Sequence, residues 1–318
     1  MTFKTNIENE IRIFNLEFKR ALSNKASLLH TVTNYITKNP GKQIRPIIVL
    51  ISAGLIAPPS EKTYRGAILI ELIHTATLIH DDIVDDAHLR RSKLSLNAVW
   101  KNKISVLVGD YFLAKGLSLA SKYKDFDTLE IISEVVEKMV EGELIQINKT
   151  RKLNLTEQDY FKIIELKTAS LFEASFKIGA KSINSNKKQL IQLGKLGLII
   201  GKIFQMKDDI LDYRITPFSG KKYGKDIEEG KINLPLLYTL NKANSKEKKC
   251  ILTSLRASVN NKHEIMQIFD LVKKYNGINY TEKYIVKQHD EALEILELFP
   301  NNQYKESLVS LLQFIIKS

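Results

Sequence analysis

The sequence predicts an all-α protein: one large helical bundle spanning residues 1–318, with about ten or more helices. Three observations predict it. Apolar residues recur at helical spacing almost throughout, strand-like alternation is scarce, and the spacers between periodic segments are short. No long Gly/Ser/Pro linker, strong repeat or low-complexity tail interrupts the pattern; a two-domain division is the alternative reading, but no linker supports it.

Taken in order, the first periodic segment is IENEIRIFNLEFKRALSNKASLL, ended by the breakers of KNPGKQ. Lys42 and Arg45 stand three apart at the start of the next helix, which APPS closes after Ile56. A long apolar run then carries ELIHTAT into LIHDDIVDD. LEIISEVVEKMVEGELIQI is a further amphipathic helix, and GKLGLIIGKIFQMKDDI another, followed by the breaker stretch RITPFSGKKYG. No run approaches the about 18 apolar residues of a membrane span, and the N-terminus alternates charge with apolar residues, unlike a secretory signal. Cys250 is the only cysteine, which excludes intrachain disulfides and thiolate clusters and points to a reducing, cytoplasmic setting. Lys plus Arg is 48 against 36 for Asp plus Glu, a net charge of +12 that favours anionic partners without choosing among them.

LIHDDIVDD poses the functional question. On a helix Asp81, Asp82 and Asp85 share one broad face, where like charges repel by a few tenths of a kcal/mol per pair. Alone, such a cluster reads as a solvated helix face. It is repeated, however: Asp208, Asp209 and Asp212 in FQMKDDILD have the same DDxxD spacing. Carboxylates with almost no soft ligands nearby suit Mg²⁺, which binds through one or two carboxylates together with substrate phosphates. Glu71 and His74 form an ExxH pair of the di-iron type, but none of the other five histidines completes the second one that such a centre needs. By helical phase His74 looks toward the face of Asp81, two turns on, while His80 is rotated away as a packed or edge histidine.

A phosphorylated substrate calls for cations beside these carboxylates. Lys42 and Arg45, Arg90 and Arg91, Lys167 with Thr168 next to it, and Lys221, Lys222, Lys225 and Lys231 all lie beside or between the two acidic motifs. No GxxxxGK[ST] or GxGxxG loop, no nucleophile elbow and no basic–aromatic interleaving is present, so nucleotide, acyl-transfer and nucleic-acid readings find no support.

With these residues in place, the chain resembles the trans-type polyprenyl diphosphate synthases of the longer-chain kind, such as the octaprenyl diphosphate synthases. The resemblance rests on GKQIRP, ELIHTATLIHDDIVDDAHLRR, VLVGDYFLAKG, EGELIQI, KTASLFEA, IFQMKDDILDY and GKKYGKDIEEGKINLPLL in family order, and runs from about residue 10 to the end. It implies a homodimer of all-α subunits of the isoprenoid synthase type, each with a central active-site cavity. It also implies roles. Asp81, Asp82 and Asp85 on one wall, with Asp208 and Asp209 on the other, would hold three Mg²⁺ ions around an allylic diphosphate, farnesyl or geranylgeranyl. Asp212 would act through water. Arg90, Lys167, Lys221 and Lys231 would hold the allylic diphosphate, Lys42, Arg45, His74 and Arg91 that of isopentenyl diphosphate, and Thr168 and Gln205 would line the reaction centre.

The implied reaction is a head-to-tail condensation. Cations stabilise the departing pyrophosphate, the isopentenyl double bond attacks the allylic cation, and a proton is lost. Small residues before the first motif, Ala76 and Thr77, imply an open tunnel and a product beyond C20, expected at C30–C40 for a quinone side chain. A lipid product makes transient membrane contact plausible. Departures from the family pattern are Ser92 for glycine, Ser95 for threonine, Lys225 for an aspartate, and Ile232–Asn233 for Pro–Thr. A class I terpene cyclase and a non-catalytic subunit of a heteromeric synthase are the competing readings. The first ordinarily has a different second metal motif, and the second lacks one or both aspartate motifs that are intact here.

Overall fold

A computed structural model describes residues 2–23, 26–38, 41–90, 93–214, 224–256 and 262–317. Its helices are α1 (Glu8–Leu22), α2 (Ser27–Thr37), α3 (Ile44–Gly54), α4 (Glu61–Val84), α5 (Leu96–Lys122), α6 (Phe126–Lys152), α7 (Glu157–Ile164) and α8 (Ser170–Ser182). They continue with α9 (Lys187–Leu211), α10 (Lys225–Glu228), α11 (Leu234–Lys242), α12 (Ser245–Arg256), α13 (Lys262–Lys274), α14 (Gly277–Leu296) and α15 (Gln303–Lys317). A π-helical turn, Glu165–Ala169, joins α7 to α8. The one sheet among the described residues is a short antiparallel pair, β1 (Leu89–Arg90) with β2 (Lys93–Leu94), in the register Leu89↔Leu94 and Arg90↔Lys93. The protein is an all-α bundle, as the periodicity predicts.

The chain folds into two compact units. The first comprises Met1–Glu134, Leu171–Lys195 and Glu297–Leu311. Its centre is α3 and α4, buried without interruption over Pro46–Gly54 and Gly66–Ile73, which is the pattern of helices apolar on every side. Ser60 starts α4 with a reciprocal capping box: its hydroxyl accepts the Thr63 N–H at 3.3 Å, and its own N–H donates to Thr63 Oγ1 at 2.9 Å. α5 lies along α4, with His80 directly over Gly109 and Leu69 and Leu72 against Gly116. Among the described residues α5 alone is long and apolar enough to cross a membrane by length and composition, although Asp110 and Lys115 interrupt its apolar run.

The second unit comprises Val135–Ser170, Leu196–Leu296 and Leu312–Ser318. Aromatic rings bind α7, α11 and α14 together: Tyr238 stacks on Tyr280 at 3.9 Å and Phe161 meets Tyr284 at 5.1 Å. Glu157 accepts hydroxyls from Tyr280 and Tyr284 at 2.9 and 2.8 Å, so the polar ends of this apolar cluster are satisfied.

Candidate active site

Both aspartate motifs end a helix. Asp81 and Asp82 occupy the last turn of α4, and Asp85 caps it, its N–H donating to the Asp81 carbonyl at 2.8 Å. Asp208 and Asp209 occupy the last turn of α9, with Asp212 just beyond. A helix C-terminus already carries partial negative charge, so each carboxylate there costs about 0.3–1 kcal/mol on top of mutual repulsion. Each motif therefore concentrates negative charge at a helix end, where a cation would be favoured.

In the first unit, Asp82 is only 3% exposed. The strand pair after α4 folds Arg90 back onto it, and Arg90 Nε donates to both carboxylate oxygens at 2.7 Å. Asn97 adds a bond to the Asp82 carbonyl at 3.3 Å. Asp82 and Arg90 line a cavity of about 810 Å³ with His74, Leu78, Ile79 and Gln43. Arg45 Nη1 lies 3.1 Å from His74 Nε2 and its guanidinium stacks 4.7 Å above the Phe172 ring. Because arginine only donates, His74 Nε2 accepts and its proton sits on Nδ1. Lys42 is exposed immediately before Gln43, whose left-handed φ of 55° starts α3. His80 turns to α5, 3.3 Å from the Val106 carbonyl and 3.5 Å from Asp110. Asp86 is exposed at a φ of 47° and leaves the helical face. Ala76 is fully buried and Thr77 half-buried, its hydroxyl donating to the His74 carbonyl at 2.9 Å; neither lines the 810 Å³ cavity. Arg91 lies outside the described residues, as does Lys221.

In the second unit, Lys167, Thr168, Gln205, Asp208, Asp209, Lys225 and Lys231, all singled out from sequence, line one pocket of about 270 Å³. Lys167 and Thr168 ride on the π-helical turn, a geometry that widens a helix and recurs at functional sites. Thr168 Oγ1 donates to Gln205 Oε1 at 2.8 Å, and Gln205 Nε2 donates to Asp209 Oδ1 at 2.9 Å. Lys167 pairs with Glu143 and donates to Gln146 at 3.1 Å. This close approach requires Gly142: a Cβ there would stand 2.9 Å from the Lys167 backbone nitrogen and from Leu166 Cβ. Lys231 pairs with Glu229 at 2.6 Å.

Four residues that the sequence reading did not assign complete this site. Tyr160, buried on α7, donates its hydroxyl to Asp209 Oδ2 at 2.6 Å. Asp226 sits among the carboxylates and accepts from Asn233 Nδ2 at 2.9 Å, while Tyr213 donates to Asn233 Oδ1 at 2.6 Å. Asn233 was noted only as a departure from the family pattern. Asp212 does not line the pocket; its two oxygens accept the N–H groups of Lys225 and Asp226 at 2.9 and 3.1 Å and so anchor the returning chain. The only signal for Asp226 in the sequence was its place beside Lys225. Tyr160 gave none.

Burial and crowding set the electrostatics. Burial, then the charges of Asp226 and Asp208, push the Asp209 carboxyl up to about 8, although Tyr160 and Gln205 pull it down. Burial and Asp226 push Asp212 up to about 7, and burial raises Asp226 as well. The Tyr160 phenol is driven well above its ordinary value by burial and by Asp209. Among the described residues no three Asp, Glu, His or Cys side chains enclose a metal by themselves. Crowded, poorly neutralised carboxylates that supply only part of a coordination sphere fit a hard cation completed by water and phosphate oxygens.

A family profile described as "Polyprenyl synthetase" matches residues 26–272. The chain belongs to this family. The chain is 31% identical to the octaprenyl diphosphate synthase of Escherichia coli (strain K12), over 93% of its own length and 92% of that protein's. It is 30% identical to a geranylgeranyl diphosphate synthase of Saccharolobus solfataricus, over 95% and 94%. The crystal structure of polyprenyl synthase from Caulobacter crescentus CB15, complexed with calcium and isoprenyl diphosphate, is similar with a TM-score of 0.93 and 29% identity, covering 99% of this chain and 97% of that one. The protein is a prenyltransferase with the isoprenoid synthase fold.

Proposed function

We propose that this prenyltransferase is a long-chain trans-polyprenyl diphosphate synthase. It adds isopentenyl diphosphate repeatedly to a farnesyl or geranylgeranyl primer, releases pyrophosphate, and stops at C30–C40 to supply a quinone side chain. The observation that carries the diphosphate chemistry is the pocket where Lys167 and Lys231 stand beside Asp208 and Asp209. Asp81, Asp82, Asp85, Asp208 and Asp209 would hold Mg²⁺, three ions per active site, with Asp212 acting through water. When bound, Mg²⁺ supplies positive charge that stabilises pyrophosphate as a leaving group.

The chain's own residues do the rest. Lys167 and Lys231 neutralise oxygens of the leaving pyrophosphate, joined by Arg90 and Lys221. Thr168 and Gln205 orient Asp209 through their hydrogen-bonded relay. Lys42, Arg45, His74 and Arg91 bind the diphosphate of isopentenyl diphosphate, and an apolar wall excludes the water that would quench an allylic cation. The relatives do not choose the product, since octaprenyl and geranylgeranyl synthases are matched almost equally well. Ala76 and Thr77 are the residues proposed to leave room for longer chains. The enzyme is proposed to act as a cytoplasmic homodimer, each chain working as one catalytic domain, with transient membrane contact as product leaves.

The test is incubation of purified protein with isopentenyl diphosphate, Mg²⁺ and primers of several lengths, followed by product sizing. Pyrophosphate release with a C30–C40 product is expected. No release with any primer overturns the reading, and products confined to C15 or C20 overturn the assigned length.

A further inference from the structure

Lys225 opens α10 directly after Gly224, whose φ of 72° turns the chain. Its backbone N–H is pinned to Asp212 Oδ1 at 2.9 Å, which fixes the root of the side chain at the end of α9. The side chain lines the same pocket of about 270 Å³ as Lys167 and Lys231. Lys225 Nζ lies 3.0 Å from Glu229 Oε1, while the other oxygen of that carboxylate takes Lys231 Nζ at 2.6 Å. Two ammonium groups therefore share the Glu229 carboxylate at the edge of the pocket. The Lys225 side chain is 52% exposed, so its ion pair is weak and readily surrendered. A lysine is a mobile point charge, and phosphate oxygens offer it shorter, charge-assisted bonds.

We propose that Lys225 is a further diphosphate-binding residue of this chain, supplying within the pocket positive charge that would otherwise have to come from metal. The proposal rests on the diphosphate reading given above and deepens it. An aspartate at this position would differ from the lysine by two charges. This pocket then holds a diphosphate with a weaker requirement for Mg²⁺ than an aspartate there would allow.

The experiment is calorimetric titration of inorganic pyrophosphate into the full chain at limiting and at saturating Mg²⁺. Lys225→Gln is expected to lose roughly tenfold in affinity at limiting Mg²⁺ and less at saturating Mg²⁺. Lys225→Arg should retain most of the affinity. Lys225→Asp should lose more than the glutamine variant and need more Mg²⁺ to recover. The exposed Lys246→Gln is the charge control. If Lys225→Gln binds pyrophosphate as the wild type does at limiting Mg²⁺, or loses no more than Lys246→Gln, the role of Lys225 is wrong while the diphosphate site stands. A wild type that binds no pyrophosphate at any Mg²⁺ overturns both.

Discussion

Replacing Tyr160 with phenylalanine removes one hydroxyl and leaves the ring that packs against Phe161. Among the described residues that hydroxyl is one of two side-chain donors to the buried Asp209 carboxylate, at 2.6 Å, beside Gln205 at 2.9 Å. A hydrogen bond to a charged group is worth about 1.5–3 kcal/mol. At about 1.4 kcal/mol per tenfold change in equilibrium, ionising Asp209 becomes at least about tenfold harder. The sign follows from the raised carboxyl. Asp209 stands at about 8 in the folded protein against 3.8 ordinarily, so the stability it contributes is present below 3.8 and is lost as pH rises through about 8. A cation needs the ionised form, so binding at this site must expel a proton, and the variant must expel it from a higher position. The assay is thermal denaturation with and without Mg²⁺ plus pyrophosphate, on either side of pH 8. In the wild type the stabilisation by ligand should grow as pH rises toward 8. In Tyr160→Phe it should lag, then recover at higher pH. Equal ligand stabilisation in the two proteins at every pH would refute the role of the hydroxyl.

Other expectations are as specific. Arg90→Ala strips the buried Asp82 of the guanidinium whose Nε–H its two oxygens share and should cost about 1–3 kcal/mol of stability, read by denaturant unfolding, with Arg90→Lys recovering part of it. Gly142→Ala should cost about 1–3 kcal/mol by overpacking against the Lys167 backbone; it should also raise the KM for the allylic diphosphate, since Lys167 is displaced. Asp81→Ala should lower turnover by several orders of magnitude while leaving far-UV circular dichroism and thermal unfolding intact; an unfolded variant would return Asp81 to a purely structural role.

The readable parts of the site were those encoded in short windows. DDxxD is a spacing of three and four, so one helix places its carboxylates together whatever surrounds it. The alternation of breakers and periodic segments likewise exposed the all-α class. The partners of those carboxylates escaped notice for a reason of distance along the chain. Tyr160 and Asp209 are 49 residues apart, and nothing in EQDYFKII distinguishes a tyrosine that will hold a carboxylate from one that fills a core. Asn233 reads in sequence as a mere departure, whereas in the fold it bridges Tyr213 to Asp226.

Sequence alone therefore determined the helical class, both aspartate motifs, the flanking cations and the family, because local periodicity and motif order carry that information. Tertiary structure decided how each carboxylate is held. It set Arg90 on Asp82, ran the relay Thr168–Gln205–Asp209–Tyr160, turned Asp212 into a backbone anchor, and brought Lys225 into the pocket of Lys231. Those arrangements depend on burial and on contacts between distant segments, and burial is what gives a buried hydrogen bond or an uncompensated charge its energetic weight.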